Sequence, residues 1–124
     1  MFEVPIEFMP EDPRMIPPQQ IPPQRNMFGL KPIDGGTMVT FTIPGGVITP
    51  PELPKVVEEF ELLIQSHLAG GIVISGRGPV WLYVALAHAA HPAKWVGTYE
   101  PRSGGAIVCS SHTSEPILGS FVSC

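Results

Sequence analysis

Residues 70–83 read GGIVISGRGPVWLY. The β-branched run Ile72-Val73-Ile74 leads into Ser75-Gly76-Arg77-Gly78, and Pro79 opens a second apolar run. A short apolar segment closed by glycines and then a proline is the pattern of a buried strand, a tight loop and a helix start. The two glycines let the loop backbone turn sharply and approach a ligand closely. Proline suits the first helical position, where its missing N–H leaves no intrahelical bond unmade. The free N–H groups of that first turn, with Arg77 beside them, describe an anion site. Strand-to-helix turns also carry glycine and proline for purely geometric reasons, and the pattern alone does not separate the two readings.

Upstream, Thr37 to Ile43 alternates, with Val39, Phe41 and Ile43 on one side and Met38, Thr40 and Thr42 on the other, as in a half-buried strand. Pro44-Gly45-Gly46 stops it. A helix is predicted from Pro54, placing Val56, Val57, Phe60, Leu63, Ile64, His67 and Leu68 on one face and Glu58, Glu59 and Glu61 in water. Gly70 and Gly71 end it. Downstream, the helix from Pro79 to about His91 is apolar nearly all round, which suits a central element or a subunit interface. Pro92 terminates it. Lys94 to Glu100 reads as a strand, Pro101 to Gly105 as a turn, and Ala106 to Ser111 as the return strand. A last short strand is predicted at Ser120 to Val122.

A strand-helix-strand unit of this length is normally a right-handed crossover between parallel strands. The expected fold is therefore α/β, a compact two-layer sandwich with a strand-helix-strand crossover and a C-terminal hairpin. A proline-rich extended arm precedes it. The division is residues 1–36 for the arm and 37–124 for the folded domain. Eight of the 16 prolines fall between Pro5 and Pro32, and the segment MIPPQQIPPQ has no apolar periodicity. Such a stretch is extended and polyproline-like, either a linker or a partner-binding arm. Within it, Ile6-Glu7-Phe8 is a candidate edge strand.

Charge narrows the partners. The net charge is −4, with seven Lys plus Arg, too few for the basic face that duplex DNA or long RNA demands. A small ligand with a few phosphates needs one or two cations and a backbone nest, which this chain can supply. Neither a membrane span nor a secretory signal is expected, and a cytoplasmic location follows. Cys109 and Cys124 form no framework and read as reduced bystanders.

The topology distributes the chemistry over two sheet edges. Ser75, Gly76, Arg77, Gly78, Glu100 and Arg102 collect at the carboxyl ends of the parallel strands, where α/β proteins bind ligands. His88, His91 and His112 collect at the opposite edge, roughly 20 Å away along the strands. His88 and His91, spaced i, i+3, share a helix face and with His112 offer a divalent-metal site. Equally, they can cap carbonyls at the negative helix end. His67 reads as core-edge filler, and Glu100 with Arg102 can be a turn ion pair of little consequence.

The wording ISGRGP with Trp81-Leu82-Tyr83, then His88 and His91, Glu100-Pro101-Arg102, and Ser111-His112 closely resembles one family. It is the small CRISPR-associated ring nucleases of type III systems, the third ring-nuclease family. The likeness is strong from Gly70 to about Ser114, loose from Thr37 to Ala69, and absent over residues 1–36. It implies binding of the second messenger cyclic tetra-adenylate, manganese-dependent cleavage to linear di-adenylates, and homodimers stacked head-to-tail into tetramers or filaments. Ser75, His88, His91, Arg102 and His112 fall on the family's motif positions. The resemblance implies catalysis by His91, Glu100 and Arg102, ligand binding by Ser75, Gly76, Arg77, Gly78 and His112, and a divalent metal, manganese, on His88, His91 and Glu100. Two departures stand out: Glu100 replaces the family aspartate, and Pro92 replaces a histidine that often follows the HxxH pair. Glutamate reaches about 1.3–1.5 Å further, enough to disturb a positioned group. A non-cleaving receptor or sponge and a metal-dependent RNA 3′ exonuclease are the alternative readings.

Overall fold

Val39 and Phe41, two residues apart, are both buried, as a strand with one packed face requires. They lie on the second of six strands in a computed structural model that describes residues 27–124. Ile6-Glu7-Phe8 and the segment MIPPQQIPPQ lie outside the described residues.

The strands are β1 (Phe28–Ile33), β2 (Gly36–Phe41), β3 (Gly71–Gly76), β4 (Trp95–Glu100), β5 (Gly105–Ser111) and β6 (Phe121–Ser123). They form one sheet in that spatial order. β2, β3 and β4 run parallel, and the remaining pairs are antiparallel. The helices α1 (Leu53–Ile64) and α2 (Val80–Ala89) are the crossovers β2-α1-β3 and β3-α2-β4. The expected α/β architecture, with its parallel pair and C-terminal hairpin, is present.

β1 corrects the expected boundary, because Phe28–Ile33 was assigned to the arm ending at residue 36. Pro32 lies within this strand, which among the described residues is at the edge of the sheet. An edge strand tolerates proline, since one row of its backbone groups pairs with nothing. Asp34-Gly35 then forms the two-residue turn into β2, with Gly35 at φ +81°.

Both helices cover one face. Val56, Phe60 and Ile64 of α1, Leu82 and Leu86 of α2, and Val39, Phe41, Ile72, Ile74 and Val96 of the sheet form the main cluster. A one-turn segment, Pro50–Glu52, leads into α1, with Thr49 and Glu52 closing a capping box.

The second face closes on itself. Val73, Trp95, Ala106 and Val108 form a second buried cluster against which Ile33 of β1 and Val122 of β6 both pack. Strands lie about 4.8 Å apart, so the edges of a flat six-stranded sheet would be about 24 Å apart. Two edge strands that touch one small cluster therefore require a strongly curled sheet. Gly71 permits it: the Trp95 ring lies where a Gly71 Cβ would stand, 1.9 Å from the nearest ring atom.

The second helix is shorter than expected. It ends at Ala89, and Pro79 is its N-cap in extended conformation rather than its first helical residue. Pro92 sets the far end, because the residue before a proline is disfavoured in the α region. His91 therefore falls past the helix, in a turn where its N–H donates to the His88 carbonyl. The shared helix face expected for His88 and His91 is not formed.

Candidate functional site

Phe41, Gly76 and Glu100 end the three parallel strands at one edge of the sheet. An open groove of about 830 Å³ lies there, lined by Thr40 to Ile43, Gly46 to Ile48, and Gly76 to Pro79 with Trp81. Gly76, Arg77 and Gly78 thus come together as the sequence placed them, with Arg77 exposed. The loop backbone lies against Phe41. A Cβ at Gly76 would stand 2.6 Å from the Phe41 carbonyl oxygen, and one at Gly78 would stand 2.8 Å from the Phe41 ring. Gly76 also holds φ at +140°, a conformation that L side chains rarely adopt.

Tyr83 fastens this loop. Its hydroxyl donates to the Gly76 carbonyl, and its ring meets Phe41 edge-on at 5.3 Å and 70°. Burial pushes the Tyr83 phenol above its ordinary value. Sequence reasoning noted Tyr83 only as part of a motif. The signal was available: helical side chains lean toward the N-terminus, so a tyrosine in the first turn of α2 points at the preceding loop.

Ser75 is 9% exposed and does not line the groove. Strand alternation puts it with Val73, on the face opposite Ile74 and the helices. Glu100 and Arg102 stand at the same edge but on the β4–β5 turn, also outside the groove lining. Arg102 Nε lies 3.4 Å from Glu100 Oε2, with the arginine 93% exposed. A pair so open to water adds little stability.

The opposite edge holds a different assembly. His112 Nε2 donates to the His91 carbonyl at 2.8 Å, and the two rings meet edge-on at 4.8 Å and 89°. A carbonyl only accepts, so His112 Nε2 carries a proton in this contact. The His112 N–H in turn donates to the Lys94 carbonyl. His88, in the last turn of α2, is exposed. His91 therefore partners His112 rather than His88. β4 alone separates this pair from Glu100 by roughly 17 Å. His67, as expected for a residue at the core edge, is half-buried against the Thr37 hydroxyl. Both cysteines are free.

Among the described residues, no three His, Cys, Asp or Glu side chains gather as a metal would need. His88, His91 and Glu100 do not form a divalent-ion site within one chain. Nor is any described helix long and apolar enough to cross a membrane.

Residues 42–123 match the family of CRISPR-associated protein (Cas_csx3). The chain belongs to this family. A relative described as an uncharacterized protein from Aquifex aeolicus is 36% identical over 89 residues, covering 72% of this chain and 78% of the relative. The Csx3 match takes in the groove loop, both histidines of the far edge and the Glu100–Arg102 turn. It starts after β1 and β2, so Phe41, which the groove loop packs against, lies just outside it.

Proposed function

We propose that this Csx3 protein binds cyclic tetra-adenylate and cleaves it to linear di-adenylates, ending type III CRISPR signalling. The groove at Gly76–Pro79 carries the reading. It offers an exposed arginine, a glycine backbone with no side chains in the way, and a concave apolar wall for bases. A ligand with few phosphates suits a chain of net charge −4.

Scission of the ring needs a ribose 2′-oxygen in line with its own neighbouring phosphorus. The new O–P bond forms as the P–O5′ bond breaks, the 2′ proton passes to a base, and the 5′ oxygen takes up a proton. His91 is suited to move these protons, and Arg102 to stabilise charge on the pentacoordinate phosphate. In one chain they belong to opposite edges. A head-to-tail stack brings the His91–His112 edge of one copy onto the Glu100–Arg102 edge of the next. The manganese implied by the sequence resemblance would then bind between copies. When bound, such an ion polarises phosphoryl oxygens.

The test is a single-turnover assay with labelled cyclic tetra-adenylate, with manganese and with chelator, over a range of protein concentrations. Metal-dependent di-adenylate formation rising more than linearly with protein is expected. His91→Ala should abolish turnover and leave binding intact; equal loss of both would sink this division of labour. The pairing of Glu100 with Arg102 inside one chain favours a second reading, a receptor that retains the messenger uncleaved. Tight binding without turnover would establish it.

A further inference from the structure

Phe41 and Trp81 are the two aromatic residues in the groove lining, and they differ in what they offer a ligand. Phe41 is 2% exposed. Tyr83 meets its ring edge-on, and the backbone at Gly76 and Gly78 lies against it. Trp81 is 36% exposed, so part of its ring stays open to the groove.

The position of Trp81 on the chain fixes that ring beside the loop. It lies in the first turn of α2, next to Leu82, which is fully buried. Leu82 and Leu86 seat the helix in the main core. A side chain in this turn leans toward the N-terminus, over the loop that precedes the helix. Arg77 is exposed on that loop and lines the same groove. The groove therefore presents three things side by side: a cation, a glycine backbone and an open indole. A nucleotide carries the matching parts, with its phosphate toward Arg77 and its base on the ring. Every base has a π-face, so an aromatic side chain accepts any of them, and the larger purine covers more of the ring than a pyrimidine does.

We propose that Trp81 is the stacking platform for one nucleobase of the ligand and gives the groove a preference for purines over pyrimidines. The proposal rests on the reading of the groove as a nucleotide site, and adds the residue that holds the base and selects its class. Stacking on one aromatic side chain is worth about 5- to 150-fold in affinity per base. Contacts to phosphate and sugar do not pass through the indole, so they are independent of it.

The probes are adenosine monophosphate, cytidine monophosphate and ribose 5-phosphate, which keeps sugar and phosphate and lacks a base. Their affinities are measured by calorimetry on the native full-length chain and on Trp81→Leu and Trp81→Phe, with circular dichroism to check the fold. The native chain should bind adenosine monophosphate more tightly than cytidine monophosphate. Trp81→Leu keeps an apolar side chain and loses the ring. It should weaken adenosine monophosphate at least about fivefold, erase the difference between the two bases and leave ribose 5-phosphate unchanged. Trp81→Phe should lie between. The native chain also reports directly: its Trp81 emission should be quenched as adenosine monophosphate binds, with Trp81→Phe giving the background from Trp95, which is 3% exposed. Unchanged affinity in Trp81→Leu, or unquenched emission at saturation in the native chain, overturns the proposal. So does a native chain that binds adenosine monophosphate no more tightly than ribose 5-phosphate, including one that binds neither. The messenger reading fails separately, on cyclic tetra-adenylate that does not bind the native chain while adenosine monophosphate does.

Discussion

Tyr83→Phe tests the loop anchor at one atom. The ring stays against Phe41, 5.3 Å away, and the hydroxyl that donates to the Gly76 carbonyl is removed. A net hydrogen bond is worth about 0.5–1.5 kcal/mol, and the half-buried carbonyl recovers part of that from water, so a loss of about 1 kcal/mol follows. For a domain of this size, that corresponds to a fall in Tm of about 4–8 °C. The same figure bounds the effect on the groove. If the loop must be re-ordered each time a ligand binds, affinity falls by at most about fivefold. The assay is urea denaturation of the two chains followed by circular dichroism, with titration of cyclic tetra-adenylate beside it. Equal stability and equal affinity would refute the anchor. A loss above about 3 kcal/mol would refute it differently, because deletion of one hydroxyl cannot cost that unless the ring has also left Phe41.

The phenol also makes stability depend on alkaline pH. Burial raises the Tyr83 pKa above its ordinary value of 10.0, so the folded chain favours the neutral phenol. That stabilisation is complete below the unfolded pKa and is lost as pH rises through the folded one. Melting curves above pH 10 should therefore fall more steeply for the native chain than for Tyr83→Phe. Gly78→Ala puts a Cβ 2.8 Å from the Phe41 ring and 3.0 Å from Ile43. It should cost about 1–3 kcal/mol in urea denaturation through overpacking. Arg102→Ala, at a 93% exposed side chain, should leave stability within about 0.5 kcal/mol of native and remove turnover. Mixing inactive Arg102→Ala chains with inactive His91→Ala chains should restore turnover if the site is composite. Failure of the mixture to exceed its components would place the chemistry within one chain.

Much of the fold is legible because hydrophobic period and glycine-proline punctuation agree from Thr37 onward. Ile72-Val73-Ile74 is apolar on both sides, and the structure uses both sides, Ile72 and Ile74 toward the helices and Val73 into the curled face. β1 was obscured because Pro32 weighs against a strand locally, while the Asp34-Gly35 turn weighs for a hairpin. An edge position decides in favour of the turn. The curl itself is not a local property. It depends on Gly71 lying opposite Trp95, a cross-strand pair that exists only once β3 and β4 have aligned.

The site divides in the same way. Residues adjacent in sequence, Gly76, Arg77 and Gly78, appear where the strand-loop-helix pattern puts them, because one turn is decided by its own residues. The histidines were read through helical spacing, and helical spacing fails where Pro92 ends the helix. Their grouping is decided by β5, which returns His112 to the His91 carbonyl 21 residues away. Consequently the two clusters of polar side chains are held apart by the one element, β4, that the crossover makes rigid. No loop motion in a single chain spans a strand of six residues whose two flanks are both hydrogen-bonded. Chemistry that uses His91 together with Arg102 must be made between copies, and chemistry confined to one copy must do without one of them.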